Sequence, residues 1–93
     1  MKYQQAPNVV ARPLGNEVLL VPVKGHLADM RQVFTLNASG EVIWKALASP
    51  VDVDHLVARL ARQFDVPEST AREDASQLIK QLEDRGLVRR VSA

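Results

Sequence analysis

The chain has 93 residues, a formal net charge of +1 and no cysteine. This length suits one domain with one hydrophobic core, which we expect to span residues 1–93. The lack of cysteine excludes disulfides, thiolate metal ligands and a cysteine nucleophile. The longest apolar run covers six residues, 18–23, and contains a proline. It is too short for a transmembrane helix, so we expect a soluble, cytoplasmic protein with no membrane contact.

The first third of the chain predicts short strands. Residues 1–7 are polar and are expected to form a flexible tail. Val9–Ala11 and Glu17–Val23 are strand candidates because apolar and β-branched residues cluster there, on either side of a turn that contains Gly15. Pro22 lies near the end of the second strand, where we expect its missing N–H not to be needed.

A third strand is predicted over Arg31–Leu36. Phe34 and Leu36 fall on one face of this strand, and Val33 and Thr35 fall on the other. The three strands are joined by short connections, which favours an antiparallel meander.

The stretch after the third strand predicts a buried helix. Asn37 is expected to be its N-cap, because its side chain can accept a hydrogen bond from the first turn. The helix is apolar round most of its surface, and Trp44 is expected to fill the centre of the core. Gly40 is a poor helix former, which suggests that another backbone passes close to the first turn.

Two further helices are predicted, with apolar residues at helical spacing from Leu56 to Phe64 and from Ala71 to Leu82. Asp52 or Asp54 is expected to cap the second helix. Gly86 is expected to end the third helix in a left-handed conformation.

With a last extended segment over Leu87–Val91, the element order predicts an α+β fold. It is winged-helix-like, with a small three-stranded antiparallel sheet followed by three helices. A winged helix can bind DNA, but the helix that would enter the groove, residues 68–85, has three basic and five acidic side chains. Because phosphate contacts dominate DNA affinity, this charge argues against a nucleic-acid partner.

The chain offers little catalytic chemistry. Asp52, Asp54 and His55 are close in sequence, but helix capping explains the carboxylates without a metal. No serine or threonine lies in a recognisable nucleophile motif, and the glycines do not form a phosphate-binding loop. We therefore expect a protein that is not an enzyme and that has no metal and no cofactor.

Several segments, spread over most of the chain, resemble the coenzyme PQQ synthesis protein D (PqqD-like) family, also called the RiPP recognition element. The most specific of them is Leu-Asn-x-x-Gly-x-x-Ile-Trp, residues 36–44. The remaining matches are Pro7-Asn8-Val9-Val10-Ala11-Arg12, Asp52-Val53 with Leu56 and Leu60, Asp74, and Leu82 before Gly86-Leu87-Val88.

The resemblance implies a peptide chaperone that binds the leader of a ribosomally made precursor peptide and presents it to a modifying enzyme. A radical-SAM protein is one candidate for this enzyme, and the implied pathway is similar to PQQ biosynthesis. The leader would add as a strand beside the third strand, in a groove closed by the third helix. The implied peptide-binding residues are Arg31, Gln32, Val33, Phe34, Thr35, Asp74, Ala75, Leu78, Ile79 and Leu82.

Each of these positions also has a purely structural interpretation. Phe34, Leu78, Ile79 and Leu82 would be core residues in any protein with this pattern, and Asp74 would then be a surface or capping group. Arg12 is interpreted as a partner in a structural ion pair with an acidic residue of the third helix. A DNA-binding regulator and a structural dimerisation subunit are the alternative functions, and a homodimer is left open. A modifying enzyme and a short peptide reading frame encoded nearby would favour leader binding.

Overall fold

The computed structural model describes residues 1–24, 27–28 and 32–91. Strands occupy both ends of the chain and three helices lie between them. In chain order the elements are β1 (Lys2–Gln5), β2 (Val9–Leu14), β3 (Glu17–Lys24), β4 (Leu27–Ala28), β5 (Phe34–Leu36), α1 (Ala38–Ala46), α2 (Val53–Phe64), α3 (Glu68–Asp84) and β6 (Val88–Val91).

Strand β3 is the centre of an antiparallel sheet. One edge of β3 pairs with β2, and the other edge pairs with β5 and, further along, with β4. The strands β2, β3 and β5 together with the three helices confirm the predicted α+β fold. The third strand is shorter than predicted, because only Phe34–Leu36 pairs with β3.

The sheet positions Pro22 as expected. The β5 ladder covers residues 18–20 of β3 and the β4 ladder covers residues 23–24, so Pro22 falls in the gap between them. Among the described residues, its missing N–H therefore breaks no ladder hydrogen bond.

The prediction of a flexible tail over residues 1–7 is wrong. Lys2–Gln5 forms β1, which pairs antiparallel with β6 over four residues. The Tyr3 N–H also donates to the Val51 carbonyl at 2.7 Å, and the Gln5 side chain donates to the Trp44 carbonyl at 2.7 Å. These long-range bonds hold a polar segment whose own composition gives no sign of a strand.

The helix boundaries follow the predicted caps. Asn37 accepts a hydrogen bond from the Gly40 N–H at 2.9 Å, and Asp52, rather than Asp54, accepts one from the His55 N–H at 2.8 Å. Gly86 has a φ of 71°, and the Leu87 N–H donates back to the Leu82 carbonyl at 2.9 Å. This is the left-handed helix end that the glycine predicts.

One continuous core joins the inner face of the sheet to all three helices. Trp44 is buried at 5% exposure and belongs to this core, as predicted. It lies towards the β2 side, where it borders a cleft with Ala11, Pro13 and Val18. In the part of the chain that the structure describes, no helix is long and apolar enough to cross a membrane.

Candidate functional site

The outer edge of β5 is a row of backbone groups without a strand partner among the described residues. The Val23 N–H donates to the Asn8 carbonyl at 2.8 Å, which fixes the odd-numbered residues of β3 as those bonded towards β2. Because successive residues of a strand direct their N–H to opposite edges, the even-numbered residues of β3 bond to Phe34 and Leu36 of β5. The N–H and C=O of Thr35 therefore point to the outer edge.

Two adjoining clefts lie between this strand, the first turn of α1 and the helix α3. We call them together the β5–α3 groove. They share Asn37, Gly40, Leu78 and Gln81 and have volumes of about 230 and 260 Å³. One cleft continues to Ser39, Ile43, Asp74 and Gln77, and the other to Glu17, Phe34, Thr35 and Leu36.

One stripe of α3 forms the far wall of the groove. Asp74, Gln77, Leu78 and Gln81 are three or four residues apart and so share one face of the helix. Leu78 is half-buried and packs against the core while it lines both clefts. It gives the wall an apolar centre between polar side chains.

The start of α1 forms the floor. The Asn37 Oδ1 already accepts two hydrogen bonds within the helix start, from the Gly40 N–H at 2.9 Å and from the Ser39 hydroxyl at 3.0 Å. A Cβ on Gly40 would lie 3.2 Å from Leu36 Cδ2 and 3.3 Å from Asn37 Oδ1. The close neighbours of Gly40 are thus two side chains of the same junction, and the expected passing backbone is not among them.

Phe34 is the second apolar surface of the groove. It is half-buried and packs against the core. The guanidinium of Arg85 lies over its ring, 5.1 Å from the centroid, close enough for a cation–π interaction. Arg85 extends the α3 stripe one turn beyond Gln81.

The structure separates seven of the ten predicted site residues into two groups. Phe34, Thr35, Asp74 and Leu78 line the groove. Three others are core residues that line neither cleft of the groove, namely Ala75 at 0%, Ile79 at 4% and Leu82 at 0% exposure.

The residues before β5 contribute less to the groove than predicted. Gln32 is exposed and Val33 is half-buried; both precede β5 and line neither cleft. Their position follows from the short β5, since pairing with β3 begins only at Phe34. Arg31 lies outside the described residues.

The sequence interpretation missed Gln77, Gln81 and Arg85. Helical periodicity counted from Asp74 would have found them, because residues 77, 78, 81 and 85 follow it at steps of one, two and three turns. Asn37 and Gly40 were predicted as structural residues only, and they also line the groove.

The remaining candidate positions have structural roles or none that is visible. Asp54 forms an ion pair with Arg72 at 2.9 Å, and Asp52 caps α2. Arg12 is exposed on β2, and within the described ranges it has no ion pair, so the predicted partner on α3 is not found there. No group of three or more histidine and acidic side chains in the same ranges could hold a metal ion.

Comparisons with known proteins place this geometry in context. A solved structure described as "TbiB1 in Complex with the TbiA(beta) Leader Peptide" has the same fold, with a TM-score of 0.74 and 20% sequence identity over 97% of this chain and 99% of that chain. No curated protein sequence matches the chain. The family described as coenzyme PQQ synthesis protein D matches residues 17–88, which cover β3 to the start of β6. The chain therefore belongs to the coenzyme PQQ synthesis protein D family.

Proposed function

We propose that this protein is a RiPP recognition element, a non-catalytic chaperone that binds the leader of a ribosomally made precursor peptide by strand addition to β5. The observation that carries the proposal is the outward-facing backbone of Thr35 beside a groove whose apolar surfaces are Phe34 and Leu78. An exposed strand edge is a template for an added strand. Family membership and the fold shared with a leader-bound protein support the same function.

The groove complements the strand edge. A peptide beside β5 places alternate side chains on one face, and there they meet Phe34 of the strand and Leu78 of α3. The polar groups of Gln77 and Gln81 flank Leu78 and can satisfy hydrogen-bonding side chains of the peptide. Backbone bonds thus hold the peptide, and the groove selects its side chains.

The magnitudes show which part of the site decides the affinity. The two backbone hydrogen bonds that the N–H and C=O of Thr35 can form contribute about 0.5–1.5 kcal/mol each, and two apolar anchors contribute about 1.5–3 kcal/mol each. Association costs about 4–15 kcal/mol, so these backbone bonds alone do not offset even the lower end of this cost. The anchors at Phe34 and Leu78 therefore control binding, and we expect a dissociation constant no tighter than about 1 μM.

The lining of the groove suits the binding of a peptide. Its described side chains are amide, hydroxyl, carboxylate and apolar, and they include no histidine and no group that could hold a metal ion. We propose that a separate modifying enzyme acts on the peptide while this protein holds the leader. A radical-SAM enzyme, as in PQQ biosynthesis, is one such partner.

Thr35→Pro tests the binding mode. This substitution removes an N–H that faces outward and leaves the bonds from Phe34 and Leu36 to β3 intact. We expect the variant to fold and to bind the precursor leader about two- to tenfold more weakly, because it loses one backbone hydrogen bond. Calorimetry would measure this difference.

Ala11→Pro is the matched control, because Ala11 directs its N–H outward at the opposite edge of the sheet, on β2. It should bind the leader like the parent protein. If Thr35→Pro binds as tightly as the parent, the leader does not pair with β5. If both variants lose binding equally, the effect is not specific to the β5 edge.

A further inference from the structure

The helix α3 brings opposite charges to the two ends of the β5–α3 groove. Arg85 lies over Phe34 at one end, and Asp74 lines the other end beside Ser39 and Ile43. The two walls run in opposite directions: as the chain proceeds from Phe34 to Ile43, its neighbours on α3 change from Arg85 to Asp74. The groove therefore has a positive and a negative end.

These two charges are not neutralised by other described residues. Arg72 is held by Asp54 at 2.9 Å and by Glu68 at 3.4 Å, and Arg90 is held by Glu83 at 2.6 Å. These hydrogen bonds raise the pKa of both arginines. Within the described ranges, neither Asp74 nor Arg85 has an ion pair.

A second carboxylate in the groove, that of Glu17, lies towards its negative end. Glu17 lines the cleft at Phe34, and the pairing of Val18 with Leu36 puts Glu17 next to Asn37. It is thus displaced from Phe34 towards the Asp74 end. Both carboxylates of the groove lie on the same side of the Arg85–Phe34 pair.

The spacing of the charges defines a length of peptide. Asp74 lies on α3 and Arg85 is the C-cap residue directly after it, eleven residues further along the chain. At the rise of a helix this separation corresponds to about 16 Å. A strand covers this distance in about five residues. Because side chains alternate between the faces of a strand, two that both face α3 are separated by an even number, about four or six residues.

We infer that the groove selects leader segments that carry an acidic and a basic side chain four or six residues apart, with apolar residues between them. The acidic side chain pairs with Arg85 and the basic one with Asp74, and this pair of contacts sets the register of the peptide on β5. The inference rests on the proposed function. The order of the two charges along the peptide reports its direction, basic before acidic for an antiparallel strand and the reverse for a parallel one.

A display library of random decapeptides, selected on the immobilised full chain, tests the inference. We expect enrichment of opposite charges at a spacing of four or six, in one order. Selection on the double variant Asp74→Lys with Arg85→Glu should enrich the reverse order. The control Glu73→Lys with Arg59→Glu makes the same exchange at exposed positions outside the groove and should select the same peptides as the parent.

A single selected peptide sharpens the test. Exposed ion pairs contribute about 0.2–1 kcal/mol, so Arg85→Glu should weaken its binding by about 1.4- to fivefold. Replacing the acidic residue of the peptide by lysine should recover this loss with the variant and lower the affinity for the parent.

The outcomes separate the two proposals. If Thr35→Pro weakens binding of the selected peptides but they share no charge pair, or if the double variant selects the same peptides, the charge inference is wrong and the binding mode stands. If no peptide is selected, or if Thr35→Pro does not affect binding, the proposed function fails and the charge inference fails with it.

Discussion

The sheet has two outer edges, β2 and β5, and each lies beside a cleft. The β2 edge borders a cleft of about 370 Å³ that Trp44 and Pro13 line, and the β5 edge borders the smaller clefts of the groove. Beyond β3, neither strand has a partner among the described residues. An adjacent cleft therefore does not distinguish the edge that we propose to bind peptide from the other edge.

The two edges differ in their outward-facing backbone N–H groups. By the same alternation that turns the N–H of Thr35 outward, residues 9, 11 and 13 of β2 point away from β3. Residue 13 is a proline, so the β2 edge lacks the last donor of this row, and Val9 and Ala11 keep theirs. Proline on an edge strand is a common protection against unwanted pairing. The fold thus protects one edge and leaves the other available.

Trp44→Ala should have the largest effect, on the free energy of unfolding. It tests whether Trp44 is part of the core on the β2 side of the sheet. Trp44 is buried at 5% exposure and packs below the β2 side of the sheet. Removing a large core aromatic typically costs about 3–5 kcal/mol of unfolding free energy, which urea titration would measure. The affinity of the folded fraction for peptide should be unchanged, because Trp44 does not line the groove. A variant as stable as the parent would show that Trp44 is not a core residue.

Much of the fold could be predicted because local signals determine it. Asn37, Asp52 and Gly86 lie at helix ends. The backbone N–H and C=O groups there form hydrogen bonds with partners only three to five residues away along the chain. Strand β3 was predicted over Glu17–Val23 because apolar and β-branched residues cluster there. The sheet order and the three helices followed from these short-range features.

The parts that could not be predicted depend on distant partners. Strand β1 exists because Val88–Val91 and Val51 supply hydrogen bonds from the other end of the chain. Four of the twelve residues that line the groove were predicted through the family resemblance. Whether a residue of α3 faces the core or the groove depends on how the helix is rotated, which the sequence does not give. Ile79 and Leu82 face the core, and Leu78 lines the groove.

Leu78→Ala should have the next largest effect, on binding. Leu78 is the apolar centre of the α3 wall, and losing such an anchor removes about 1.5–3 kcal/mol of binding free energy. Leu14→Ala is the matched control at the other edge, since Leu14 lies on β2 and is 63% exposed. Calorimetry with the same leader should show weaker binding for the first variant and no change for the second. Equal affinities in both would remove Leu78 from the binding site.

Pro13→Thr should have the smallest effect and tests the protection of β2 directly. The substitution restores an outward N–H, so residues 9, 11 and 13 would all offer donors at an exposed apolar edge where Val10 is 42% exposed. Each added backbone bond contributes only about 0.5–1.5 kcal/mol, so we expect weak self-association through paired β2 strands, visible as a concentration-dependent sedimentation coefficient. Pro22→Thr is the control, because its N–H would face the gap between β4 and β5 and add no donor to the β2 edge. Leader binding at β5 should be unaffected by Pro13→Thr. If this variant sediments like the parent at every concentration, Pro13 does not protect the edge, and the preference for β5 must come from the side chains of its groove.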